Sequence, residues 1–450
     1  VLGVALALRW SALAVPHFDS DEPAFEGLAQ SILMGGGYTV RHVGFDVVAA
    51  DPPRYLLRLG HDAAEHGGIL DFYAPAHQDV VDDHALSVRP PLFPAVLAAS
   101  TALVGSDVAV IALGPTPGAS RAASFRETPA RVPGTWIRAQ LGVALPPLLA
   151  SLAACALAFL VHRGSPLAAA LGALAVATAP LEVWCAHRVT ADTLTEVLVA
   201  GSCVLLATGE RSLGRVALAG VLGGLSVLAK PSGVLLVPAY AVAELASVRA
   251  GSKPGDAARR VLVFTAVLAA SGLWWAALQL ALPGGSVVAA LGYGGVGYTK
   301  EAAQANWPVF VRSRPFWIVP ASTAALSPLL AVGAVALFLR ARRNPGGSGG
   351  RVAPPDDAAL PLAAVAALFL VLTMLWPAKE NRYLLPAYVP FAAGLAWAVE
   401  RGLEKASGRA ARAALVAAFL ALLVPSAWAS REAALSGAYE LTPIGPKAPG

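Results

Sequence analysis

At 450 residues the chain is long enough for several soluble domains, yet 56% of it is hydrophobic and only 14% is charged, against about 25% in an ordinary soluble domain. With a mean hydropathy of +0.62 and recurrent apolar runs near the roughly 20 residues that cross a bilayer, this composition excludes a soluble globular protein. The net charge of +5 comes from basic residues gathered in short loops, so its sign reports membrane orientation and not nucleic-acid binding.

The first apolar run, 1–16, has no basic n-region and no small-residue cleavage pattern after it, and reads as a first span rather than a cleaved signal. His17-Phe18-Asp19-Ser20-Asp21-Glu22 follows, then an apolar period at Phe25, Leu28, Ala29 and Ile32 that stops at Gly35-Gly36-Gly37-Tyr38. This pattern predicts a short amphipathic helix along the membrane with Asp21 near its start. Asp21 and Glu22 are either capping acids or chemical groups, because carboxylates at a bilayer surface are costly unless they hold a cation or react. The segment 17–137 is expected to be one long loop on the outer face, with far more acids than its arginines Arg41, Arg54 and Arg58 between Asp19 and Asp83. His42, His61, His66, His77 and His84 lie among these acids at spacings that match no metal motif. Arg89-Pro90-Pro91 opens the apolar run 92–113, which carries Gly105-Ser106-Asp107 and is expected to lie on the membrane or re-enter it.

Further spans are predicted at 138–161, 166–186, 191–208, 214–229, 231–247, 261–281, 316–339, 358–376, 383–399 and 413–429. The basic loops 162–163, 211–215, 249–260, 340–351 and 401–412 belong inside by the excess of Arg and Lys. The expected fold is an all-α polytopic bundle of about eleven spans, with a long outer first loop carrying interfacial helices. A catalytic module covers 1–339, a cytoplasmic linker 340–357, and C-terminal spans with a short outer tail 358–450. Cys155, Cys185 and Cys203 sit in or beside apolar segments and read as packing residues.

Three further groups fall at outer helix ends. In His187-Arg188-Val189-Thr190-Ala191-Asp192-Thr193-Leu194-Thr195-Glu196, Thr190 is a candidate cap, and Asp192 and Glu196 share a helical face. Asp192 also suits the positive helix end, whereas a carboxylate one turn deeper at Glu196 implies a polar cavity. Lys230-Pro231 and Glu380-Asn381-Arg382-Tyr383-Leu384-Leu385-Pro386 each put a cation near a proline at a helix terminus, where it is either a snorkelling anchor or an anion contact.

Taken in order, Asp21-Glu22-x-x-Phe25-x-x-x-Ala29, Gly37-Tyr38, Arg89-Pro-Pro-Leu-Phe-Pro94, Arg188 with Asp192 and Glu196, Leu-Ala-Lys230-Pro231 and Arg382-Tyr383-Leu-Leu-Pro386 resemble the protein mannosyltransferase and aminoarabinose-transferase-like group of the GT-C superfamily. The resemblance implies transfer of one sugar from a polyprenyl-phosphate donor to a lipid, protein or glycan acceptor. The site would lie on the outer face of a bacterial inner membrane. It implies Asp21, with Glu22 adjacent, as base or acceptor-orienting acid, and Asp192 as a second catalytic acid. It further implies Arg89, Arg188, Glu196, Lys230, Arg382 and Tyr383 as substrate contacts. No cofactor is required by displacement of an ionised phosphate, although paired acids could hold a divalent metal. Two features depart from the family: Arg89 stands where members often carry Lys, and 39–88 exceeds the usual linker. Two other classes remain open. One is a polyprenyl-linked oligosaccharide transferase or polymerase. The other is an ion-coupled transporter or flippase, disfavoured because the charges gather at the outer boundary and not at mid-membrane.

Overall fold

The computed structural model describes residues 1–9, 32, 90–104, 166–186, 190–207, 212–249, 251–281, 314–343, 359–375 and 381–436. Among these the regular structure is helical, with no strand. The expected loop 17–137 lies outside the described residues apart from Ile32 and 90–104, so the first acidic cluster, the histidines and the insertion 39–88 lie outside them. So do the predicted span 138–161 and most of the linker 340–357.

The chain divides into two units. One holds 12–145 and 186–190, the other the remainder. In the first unit the described helix is Leu92–Val104. Its 13 described residues cover about 20 Å.

The second unit is a bundle. Its helices, with the helix just given counted as α2, are α1 (Leu2–Arg9), α3 (Pro166–Ala177), α4 (Pro180–Ala186), α5 (Asp192–Ala207), α6 (Leu213–Ala229), α7 (Leu236–Arg249), α8 (Pro254–Leu268), α9 (Trp274–Ala281), α10 (Arg314–Leu326), α11 (Pro328–Arg343), α12 (Ala359–Leu375), α13 (Leu385–Lys405) and α14 (Arg409–Ser436). A 3₁₀ turn, Pro231–Leu235, leads into α7, and a π turn, Ala269–Leu273, joins α8 to α9. Continuous helix long and apolar enough to cross a membrane occurs at Pro231–Arg249, Pro254–Leu278 and Arg409–Arg431, and the number rises to five if each of two bent pairs is one span. These are spans among the described residues alone, where prolines divide some apolar runs into shorter helices; other predicted spans lie wholly or partly outside them.

The core forms around α13. From Leu385 to Ala396 it is buried on every side, the signature of a helix at the middle of a bundle and not at its rim. It packs against α3, α5, α11 and α12, while α6 packs against α5 and α8. The approach of α11 to α13 is close: a side chain at Gly394 would overlap the Gly333 carbonyl oxygen, and one at Gly333 the Phe391 carbonyl oxygen. Small residues at such crossings are how helices in lipid gain dispersion contacts.

Two helix breaks shape the bundle. Between α3 and α4 the axis turns by 57°, and at the α10–α11 break it turns by 118°. Pro180 and Pro328 lack the N–H that would continue each ladder, and backbone carbonyls freed in an apolar interior must find donors. They do. Arg9 Nη1 donates to the Ala177 carbonyl at 2.9 Å, Ser430 Oγ to Thr178 at 2.7 Å and Ser426 Oγ to Leu326 at 2.9 Å. Ser426 and Ser430 are one turn apart on α14, so one helix face closes both breaks.

At the other end of α7, Glu244 is buried and takes Arg260 Nε at 3.0 Å and Nη2 at 2.6 Å on one oxygen. This pair ties α7 to α8 below the turn at Gly251, whose φ of +102° favours glycine.

Candidate active site

Local sequence brings three helix ends to one point. Pro231 excludes the α conformation from the residue before it, so α6 ends at Ala229 and Lys230 turns extended at φ −153° and ψ 132°. Along α5, Asp192, Glu196, Val199, Ala200 and Cys203 form one buried stripe, with the carboxylate of Asp192 in the first turn, where the helix dipole favours negative charge. Arg382 and Tyr383 occupy the 3₁₀ turn Asn381–Leu384, directly ahead of the buried start of α13. Pro386 at the head of that helix fits because first-turn N–H groups have no partner in the helix.

The result is a charge cluster. Lys230 Nζ donates to Asp192 Oδ1 in a short ion pair, and Arg382 Nε stands 3.8 Å from Asp192 Oδ2. Lys230 also lies over the Tyr383 ring, 3.8 Å from its centroid, with the Arg382 guanidinium 6.0 Å from the same ring. Side-chain exposure is 19% for Lys230, 8% for Arg382 and 5% for Asp192, so the cluster is largely shielded and Lys230 is its most accessible side chain. One carboxylate between two cations sums to a single positive charge, the sign that a phosphate requires.

Four candidate residues thus meet: Asp192, Lys230, Arg382 and Tyr383. Glu196 lies one turn deeper, fully buried, and its carboxyl group stands beside that of Glu182 on α4. Thr190 does not serve as the expected cap; its buried hydroxyl has no hydrogen-bond partner, and the α5 helix begins at Asp192. Asp21, Glu22, Arg89 and Arg188 lie outside the described residues.

Arg9 and Glu182, which the sequence reading passed over, are both fully buried and 3.8 Å apart. The signal was present: single charges of opposite sign inside apolar runs 1–16 and 166–186. Cys185 and Cys203 are buried free thiols. Among the described residues no three His, Cys, Asp or Glu side chains group as metal ligands. Of the buried acids there, Asp192 faces Lys230 and Arg382, Glu182 faces Arg9 and Glu244 faces Arg260.

No protein-family model matches the chain, and no curated protein matches it. Among solved structures, it resembles ArnT from Cupriavidus metallidurans bound to undecaprenyl phosphate, with a TM-score of 0.54 and 15% identity over 97% of this chain and 75% of that one. It also resembles the oligosaccharyltransferase of Archaeoglobus fulgidus in complex with zinc and sulfate, with a TM-score of 0.57 and 14% identity over 96% of this chain. There the match spans only 52% of the other chain. The same archaeal enzyme tethered to an acceptor peptide gives a TM-score of 0.54 at 13% identity. At these identities the likeness is one of fold.

Proposed function

We infer that this chain, which has the fold of the GT-C glycosyltransferases, is a membrane glycosyltransferase that takes its sugar from a polyprenyl-phosphate-linked donor. The observation that carries the reading is the shielded Asp192–Lys230–Arg382 cluster at converging helix ends. Two cations fixed by one carboxylate suit the phosphate of a lipid whose tail stays in the bilayer.

In this mechanism an acceptor hydroxyl attacks the anomeric carbon, the new C–O bond forms, and the bond from that carbon to the phosphate oxygen breaks. The lipid phosphate leaves with the electron pair. Lys230 and Arg382 hold the charge that grows on it, and such preorganised stabilisation is commonly the largest single contribution to rate. Asp192 is engaged by both cations, so its role is to position them; the family resemblance of the sequence implies Asp21, or the adjacent Glu22, as the group that takes the acceptor's proton. The same resemblance implies Arg89 and Arg188 as further phosphate contacts. The leaving group is already ionised, so no acid need protonate it. A divalent metal, if bound, belongs with Asp21 and Glu22 and would supply charge neutralisation; no step above is routed through it. Basic residues at the opposite helix ends (Arg249, Arg259, Arg260, Lys405, Arg409) support an outer-face site by the positive-inside rule, and the likeness to the Cupriavidus enzyme supports a bacterial inner membrane.

Two readings of what is transferred have support. Transfer of a single sugar fits the coverage of 75% of the ArnT chain. Transfer of an assembled oligosaccharide fits the TM-score of 0.57 to the archaeal oligosaccharyltransferase. Purified protein in lipid nanodiscs, given polyprenyl-phosphate monosaccharides and lipid-linked oligosaccharides with mixed acceptors, separates them by product mass. Turnover of neither donor class, with substrate-driven ion flux in liposomes instead, would move the chain to the transporters.

A further inference from the structure

The mechanism leaves a second set of buried charges unused. Arg9 on α1, Glu182 on α4 and Glu196 on α5 are each almost wholly enclosed. Arg9 Nη1 is committed to the carbonyls of Ala5 and Ala177 at 3.2 and 2.9 Å, and Nη2 stands 3.8 Å from Glu182 Oε2. The Glu182 and Glu196 carboxyl groups lie against each other. Among the described residues, no donor reaches any of their four oxygens. Among the described residues, Cys185 and Asp192 are the other titratable groups near the pair, and Arg382 also acts on Cys185.

Charge counting narrows the possibilities. Two carboxylates face a single guanidinium inside a water-excluded bundle, where ionising the second carboxyl beside the first is costly. Two ionised carboxylates in contact also repel, and both can only accept hydrogen bonds. A single proton between them removes both problems, since it makes one oxygen a donor to its neighbour and leaves one negative charge for Arg9.

We propose that Glu182 and Glu196 share one proton and, balanced by Arg9, form a neutral clamp between α1, α4 and α5 that positions Asp192 one helical turn away for Lys230 and Arg382. Arg9 also seals the carbonyl freed at the α3–α4 break, so the clamp and the break are one device. The positioning role rests on the transferase reading; the shared proton does not. Glu182 and Arg9 act through Asp192 and touch no substrate.

The test uses the full chain in nanodiscs and infrared spectroscopy. Wild type is expected to show the carbonyl stretch of a protonated carboxylic acid, shifted by deuterium exchange, and E182Q is expected to lack it. The E182Q amide can donate to Glu196 in place of the proton, so this variant should keep the wild-type unfolding temperature. It should also transfer sugar within about threefold of wild type, whereas E182A loses more than tenfold. Absence of the band in wild type, its persistence in E182Q, or E182Q unfolding like E182A would overturn the clamp. If wild type transfers no sugar from any polyprenyl donor, the transferase reading and the positioning role fall together, while the infrared band still decides on the proton.

Discussion

Asp192 sits between two cations, and that defines what replacing it does. D192N keeps the shape of the side chain and removes the charge to which Lys230 and Arg382 are anchored. Hydrogen bonds to charged groups contribute about 1.5–3 kcal/mol, so transfer by D192N is expected to fall roughly 10- to 100-fold with the fold intact. The assay is release of polyprenyl phosphate, read beside a thermal melt; unchanged turnover would remove Asp192 from the site. Tyr383 gives a finer contrast. Its ring face lies under Lys230, and cation–π contacts contribute about 0.5–2 kcal/mol. Y383F should therefore match wild type in donor KM, while Y383A raises it several-fold. Equal effects from the two variants would assign the role to the phenolic hydroxyl instead.

At the scale of the element, the bundle depends on how its broken helices are closed. Ser430 and Ser426 on α14 each satisfy a carbonyl released at a break, and a buried polar group left without a partner costs about 1–3 kcal/mol. S430A and S426A should each lower the melting temperature in detergent; if neither does, the freed carbonyls have other donors. Glycine positions give a test with opposite signs. G394A puts a methyl into the Gly333 backbone where α11 meets α13, and overpacking of this kind costs about 1–3 kcal/mol. Gly214, in the first turn of α6, has open space around it, and G214A should be neutral or stabilising by up to about 1 kcal/mol. A thermal-shift measurement of the pair reads both directions at once.

At the scale of the molecule, the legible part was what repeats locally. Apolar runs and prolines located many of the described helices, and Lys230-Pro231 and Arg382-Tyr383 stood out because a cation beside or near a proline at a helix end is a local pattern. What stayed hidden is carried by contacts far apart in the chain. Arg9 looked like a lone charge in a short apolar run, and nothing nearby shows that it meets a carbonyl at Ala177 and a carboxylate at Glu182. The breaks after Ala177 and Leu326 were hidden for a similar reason: hydropathy continues across Pro180 and Pro328, so runs 166–186 and 316–339 read as straight spans. Glu196 was legible as a buried acid, but not its partner.

In the proposed reaction Lys230 and Arg382 hold a lipid-linked phosphate. The most direct measurement is binding of undecaprenyl phosphate to the purified chain in nanodiscs by native mass spectrometry, comparing wild type with K230A/R382A. Loss of two charge-assisted contacts of about 1.5–3 kcal/mol each predicts binding weakened by at least about 100-fold in the double variant, read beside its helical circular dichroism because Asp192 loses both counter-cations there. Equal binding by the two proteins would contradict the assignment of the phosphate site.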